Sequence, residues 1–235
     1  MKAAVAKQRL AALEAEAASE PFVPGFQLED YQQLPADVGT DWRIRLFLAG
    51  RFAGKTVTGS TWAAQQAIDN PGSEGVLVGA TFRDVRQTMV EGPSGILKAL
   101  GDAVKTYNRS LFEIELHNGS KILMRSADKL EGIRGMNLTW FWADEIGSWP
   151  YPEVWYEELN LALRIGDNPQ GMATTTPRRS KLMLRIWDQV LDPDDDSIIM
   201  QSATAFDNPH ISDKVKDEVR RLYEGTVLFL SLIHI

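Results

Sequence analysis

The chain has 235 residues, of which 44% are hydrophobic and 24% charged, enough for one large domain or two small ones with a sizeable core. It has no cysteine, which excludes disulfides and thiolate metal sites, and it carries neither an apolar run of 18 residues nor a signal-peptide core, so a soluble protein of a reducing cytosol is expected. A net charge of -7 argues against a generally adhesive nucleic-acid binder, although a few placed Arg or Lys suffice for a local phosphate track.

Residues 1–20 are rich in Ala, Glu and Lys with apolar residues at helical spacing, which predicts a helix. Residues 21–41 read as an extended arm, so 1–41 form an N-terminal helix and arm ahead of a domain over 42–226. Within the arm, Gln32 and Gln33 offer amides able to pair with an adenine edge, or are simply solvated. Residues 44–56 (IRLFLAGRFAGKT) follow as an apolar strand running into a small-residue loop that ends in Gly54, Lys55 and Thr56. Such a loop frees backbone N–H groups for phosphate, sets an ammonium at fixed reach and supplies a hydroxyl for Mg²⁺, with a helix dipole beneath. The spacing departs from G-x-x-x-x-G-K-[ST] only in Ala49, and Gly50 follows one residue later. Gly50, Arg51, Phe52, Ala53, Gly54, Lys55 and Thr56 are thus the candidate nucleotide contacts. The alternative is a Gly-rich turn with a solvated lysine.

Residues 57–68 then read as the helix behind the loop and 75–80 (GVLVGA) as a strand buried on both faces, which together imply a right-handed crossover in an α/β sheet. Residues 81–90 are expected to be helical, carrying Arg83 and Arg86 near the carboxyl edge of the sheet. Asn118-Gly119 joins 111–117 to 121–125 as an antiparallel edge hairpin, and 126–135 form a polar loop. The apolar run 138–143 (LTWFWA) ends in Asp144 and Glu145, which places two carboxylates at that edge beside a phosphate loop on a neighbouring strand. The first can hold Mg²⁺ and the second can orient and deprotonate water, whereas the bland reading makes Asp144 a cap for a helix starting near Pro150.

Residues 171–175 read as a further strand whose hydroxyls, Thr175 among them, either sense a γ-phosphate or are ordinary β-branched strand residues. Arg178, Arg179 and Lys181 form the densest basic cluster, either a phosphate-backbone contact or a solvated start to a helix over 181–191. A strand over 197–203, a turn at Asn208-Pro209-His210 and a charged helix capped by Ser212 complete the pattern, and the three histidines have no metal-ligand spacing. Residues 227–235 read as a truncated end. Within it 230–235 (LSLIHI) continue no pattern and match what a sequencing adapter would encode, so they are read as non-native.

In order, LFLAGRFAGKT (46–56), GATFRDVRQTMVEG (79–92), LEGIRG (130–135), WADE (142–145), ATTTPR (173–178) and NPHIS (208–212) resemble the ATPase domain of tailed-phage terminase large subunits. Within that family they look most like the branch of small packaging motors and gene transfer agents. The resemblance implies a RecA/ASCE-like P-loop NTPase: an α/β fold with a mostly parallel sheet, helices on both faces and an antiparallel edge hairpin. It implies ATP and Mg²⁺ as cofactors, with phosphate and Mg²⁺ on Lys55 and Thr56, Asp144 completing the metal site and Glu145 as catalytic base. Arg51 would face the nucleotide, Thr174, Thr175 and Thr176 would form a coupling motif, and a neighbouring subunit would supply an arginine in trans, Arg86 ahead of Arg83 and Arg134. The implied partners are double-stranded DNA, a portal protein and a small terminase subunit, in the host cytoplasm and outside the mature virion. The protein would be a monomer in isolation and a homo-oligomeric ring when active. Phe52 stands where the family usually has Gly, and the family's C-terminal nuclease domain is missing, so ATP hydrolysis without DNA cleavage is expected. A helicase-like ATPase and a nucleotide-binding module with little turnover are the other readings.

Overall fold

A computed structural model describes residues 24–129 and 132–223. The expected N-terminal helix, the tail and the first two residues of LEGIRG lie outside this range. One eight-stranded sheet organises the chain: β1 (Ile44–Ala49), β2 (Glu74–Gly79), β3 (Val104–Asn108), β4 (Glu113–Leu116), β5 (Lys121–Ser126), β6 (Trp140–Asp144), β7 (Gln170–Thr175) and β8 (Ile198–Ala203). Their spatial order is β3-β4-β5-β2-β6-β7-β1-β8. Every pairing from β5 to β8 is parallel, and β3-β4 and β4-β5 are antiparallel. The expected antiparallel hairpin is present as β4 and β5, but it is not the edge: β3, polar and solvated, forms the outermost strand beyond it.

The apolar runs are central because both their faces are covered. Every residue of β1 and β7 is buried, as parallel crossovers with helices on both sides require. One face carries α1 (Lys55–Asp69), α2 (Phe82–Asp84, continuing as a π-helical turn Val85–Val90) and α3 (Ile96–Leu100), packed through Ala63, Ala67, Val85, Met89 and Leu100 onto Phe47, Leu77 and Trp142. The other carries α4 (π-helical Val154–Leu159 running into Asn160–Ala162) and α5 (Lys181–Val190), with Trp155, Leu159, Leu182 and Ile186 on Leu46, Phe141 and Ala173. A charged helix, α6 (Asp213–Tyr223), follows β8.

Two local devices set the frame of the site. α1 can lie close to β6 only because residue 59 is glycine, since a β-carbon there would come within 2.1 Å of the Trp142 ring. Asn118 of the hairpin turn donates to the carbonyls of Ala67 and Ile68, satisfying the exposed end of α1. The strand order also corrects one expectation. β6 is not the neighbour of β1, because β7 lies between them, with Phe47 of β1 and Asp144 of β6 both in register with Thr174. The arm packs onto the domain: Gly25 N–H bonds to the carbonyl of Ala99, and Arg45 on β1 donates to the carbonyl of Gln32.

Candidate nucleotide site

The loop after β1 and the carboxyl ends of β2 and β6 border a cleft of about 700 Å³ lined by Arg51, Phe52, Gly54, Lys55, Thr56, Gly79, Asp144 and Glu145, among others. The chain leaves β1, turns through residues 50–54 and enters α1 with Gly54 left-handed at φ 76°. The first N–H groups of α1 therefore open toward the cleft with the positive end of the helix behind them, an arrangement that favours an anion. The Lys55 ammonium donates to the carbonyls of Ala49 and Gly50, both at 3.1 Å, and stands 3.5 Å from Oε1 of Glu145. Phe52 adopts the left-handed conformation at φ 66°, is 57% exposed and lines the cleft.

Three consecutive threonines at the end of β7 hold the acidic turn of β6. Thr174 receives the Trp142 indole N–H at 3.0 Å and donates to Oδ1 of Asp144 at 2.6 Å. Thr175 accepts the N–H of Gly147 at 3.0 Å. Thr176 bonds the Glu145 carboxylate twice, through its backbone N–H at 3.2 Å and its hydroxyl at 2.9 Å. Glu145 is itself left-handed at φ 50°, a strained backbone of the kind that persists only where surrounding contacts over-determine it. Burial, with a smaller push from Glu145, raises the Asp144 carboxyl to about 6.

Asp144 and the Thr56 hydroxyl are a donor set that fits Mg²⁺. This hard cation takes few protein oxygens alongside phosphate and water, and a cation would relieve the cost of ionising Asp144. No group of three or more His, Cys, Asp or Glu suited to a metal exists among the described residues, and a site of this kind does not need one.

The cleft collects Gly54, Lys55, Thr56, Arg51, Asp144 and Glu145, with Phe52 at its rim. Ala53 is buried beneath the loop, and Gly50 accepts from Lys55. Other expected residues lie elsewhere. Thr175 is fully buried under the Gly147 turn, on the opposite side of β7 from Thr174, so Thr174 and Thr176 are the threonines that touch the acids. The Gln32 amide is committed: it donates to the Gly54 carbonyl and the Thr58 hydroxyl, and accepts from Glu29 N–H. Gln33 bonds Leu28 on the exposed side of the arm. Arg86 is exposed on the π-helical turn of α2, Arg83 is tied to Gln87, and Arg134 lines a separate surface cleft with Arg164. Arg178, Arg179 and Lys181 are exposed at the start of α5. Tyr31 and Asn208, which the sequence did not single out for the loop, both bond to it.

A glycine-containing loop after β1, an acid pair at the end of β6 and one strand between them give the chain the mixed α/β fold of P-loop NTPases. Residues 46–230 match the terminase large subunit family in its T4likevirus-type N-terminal form, and the chain belongs to that family. The ATPase domain of the large terminase of Thermus phage P74-26 superposes with a TM-score of 0.68 at 18% identity, over 88% of this chain and 92% of that one. The large terminase of a thermophilic bacteriophage in complex with ADP gives 0.69 at 19%, over 83% and 48%. The HK97 bacteriophage large terminase gives 0.58 at 18%, over 88% and 43%. At these identities the likeness is one of fold, and the chain spans about half the length of the last two proteins. No curated protein matches the sequence. Among the described residues no helix is long and apolar enough to cross a membrane.

Proposed function

We propose that the chain hydrolyses ATP to drive double-stranded viral DNA into a prohead, as the ATPase domain of a terminase large subunit in its 42–226 region. The observation that carries this reading is the Glu145 carboxylate 3.5 Å from the Lys55 ammonium at the mouth of the phosphate loop, with Asp144 one residue before it. In this reading the N–H groups that begin α1 receive the β and γ phosphates, and Lys55 and Arg51 add positive charge. Thr56 and Asp144 would hold Mg²⁺, which would supply charge neutralisation for the phosphates. Glu145 accepts the proton of the attacking water, and Thr176 and Lys55 fix where its carboxylate sits. The nucleobase enters the adjoining cleft of about 380 Å³ between the arm and the Asn208–His210 turn, against Phe26 and Tyr31, while Gln32 serves as wall rather than reader.

Exposed Arg86 is the proposed trans arginine of a ring whose other partners are the portal protein and the small subunit. A positioned arginine from a neighbour adds on the order of 10³ to 10⁵ in rate, so the isolated monomer turns over slowly. The test is ATP turnover with and without double-stranded DNA and portal. Stimulation that disappears in Lys55→Ala supports a packaging motor, and turnover that DNA and portal fail to raise contradicts it.

A further inference from the structure

Three successive carbonyls of the phosphate loop are held from behind by residues far away in sequence. The carbonyl of Phe52 accepts from Nδ2 of Asn208 at 2.7 Å, that of Ala53 from the Tyr31 hydroxyl at 3.4 Å, and that of Gly54 from Nε2 of Gln32 at 3.2 Å. C=O and N–H point opposite ways across a trans peptide, so tying down these oxygens also fixes the N–H groups of Ala53, Gly54 and Lys55. The first closes the turn onto Gly50. The other two are directed away from the clasp, and Gly54 and Lys55 both line the large cleft.

The clasp bears on the one loop residue whose conformation is disfavoured. Phe52 sits at φ 66°, where a β-carbon meets the following carbonyl, and the residue as a whole is too exposed for packing to hold it there. Asn208 is itself fixed: its Oδ1 accepts the His210 N–H at 2.9 Å, which orients Nδ2 toward Phe52, and the His210 ring meets Glu29 of the arm at 2.8 Å. We infer that Asn208, with Tyr31 and Gln32, is a positioning residue that holds the phosphate loop in its anion-binding shape, and that Asn208 keeps Phe52 left-handed. The consequence for nucleotide affinity rests on the ATPase reading, whereas the mechanical role does not.

A double-mutant cycle separates the two. Glycine adopts the left-handed conformation freely, so in a Phe52→Gly background Asn208 should become dispensable. Without nucleotide, Asn208→Ala should lower the melting temperature by about 3 °C beside Phe52 and by much less beside the glycine. Binding of a fluorescent ADP with Mg²⁺ should weaken about tenfold in Asn208→Ala and recover in the double variant. Equal thermal losses in both backgrounds would overturn the inference, as would unchanged ADP binding in Asn208→Ala. Thermal coupling in a protein that binds no nucleotide would support the clasp and refute the ATPase reading.

Discussion

Asp144→Asn should make the nucleotide-free protein more stable while disabling it. The half-buried Asp144 carboxyl, at the wall of the cleft, is raised from 3.8 to about 6 by desolvation. The unfolded chain therefore loses this proton at lower pH than the folded protein does, and stability falls as pH climbs from about 4 through 6. At about 1.4 kcal/mol per pKa unit, a shift of about two units costs the folded state about 3 kcal/mol above pH 7. Asparagine is never ionised, can still accept the Thr174 hydroxyl, and leaves the Trp149 indole bond to the residue 144 backbone carbonyl untouched. A domain of this size gains about 2–4 °C per kcal/mol, so the variant should melt about 6–12 °C higher at pH 7.5 in EDTA. The gap should narrow to about 1 kcal/mol by pH 4.5. Thermal denaturation by circular dichroism between pH 4.5 and 8 measures this directly. A variant less stable than the parent, or a gap that does not change with pH, would refute the reasoning. The same variant should lose Mg²⁺-dependent turnover, because it gives up the carboxylate proposed for the cation.

Gly59→Ala places a β-carbon 2.1 Å from the Trp142 ring and should cost about 3 kcal/mol in chemical denaturation, since neither α1 nor β6 can move aside without disturbing the site. Glu145→Gln should leave ADP affinity within about threefold but reduce ATP turnover by a factor on the order of 10² to 10⁴, separating binding from chemistry in parallel titrations and steady-state assays. Arg86→Ala and Glu145→Ala should each be nearly inactive alone. Mixed, they should regain turnover, because a ring then contains clefts with an intact Glu145 facing a neighbour with an intact Arg86. If mixing restores nothing, Arg86 does not act in trans.

The parts of the site readable in the sequence were those whose chemistry is local. A strand, a small-residue loop and Gly54-Lys55-Thr56 occupy contiguous positions, and Asp144-Glu145 close so apolar a strand that their place at its carboxyl end follows from the run itself. What joins them was not local. The insertion of β7 between β1 and β6 is set by crossover connections, and no feature of 171–175 announces it. The period of two along that strand sends Thr175 to the face opposite Thr174, so alternation from an assumed Thr174–Asp144 contact would have excluded Thr175 from the acids. The amide of Gln32 in the arm has the groups either to pair with a base or to be solvated, and its engagement with Gly54, Thr58 and Glu29 arises only once the arm folds back. Asn208 lies 156 residues from the carbonyl it holds, a pairing that only the fold reveals. The short polar strand β3 carries too little apolar alternation to be read as an edge.

The central claim is tested most directly by steady-state ATP hydrolysis with Mg²⁺ at several protein concentrations, comparing the parent with Lys55→Ala and Glu145→Ala. The account predicts turnover per subunit that rises with concentration and vanishes in both variants. Turnover that survives in Glu145→Ala, or none in the parent at any concentration while it still binds ATP, would contradict it.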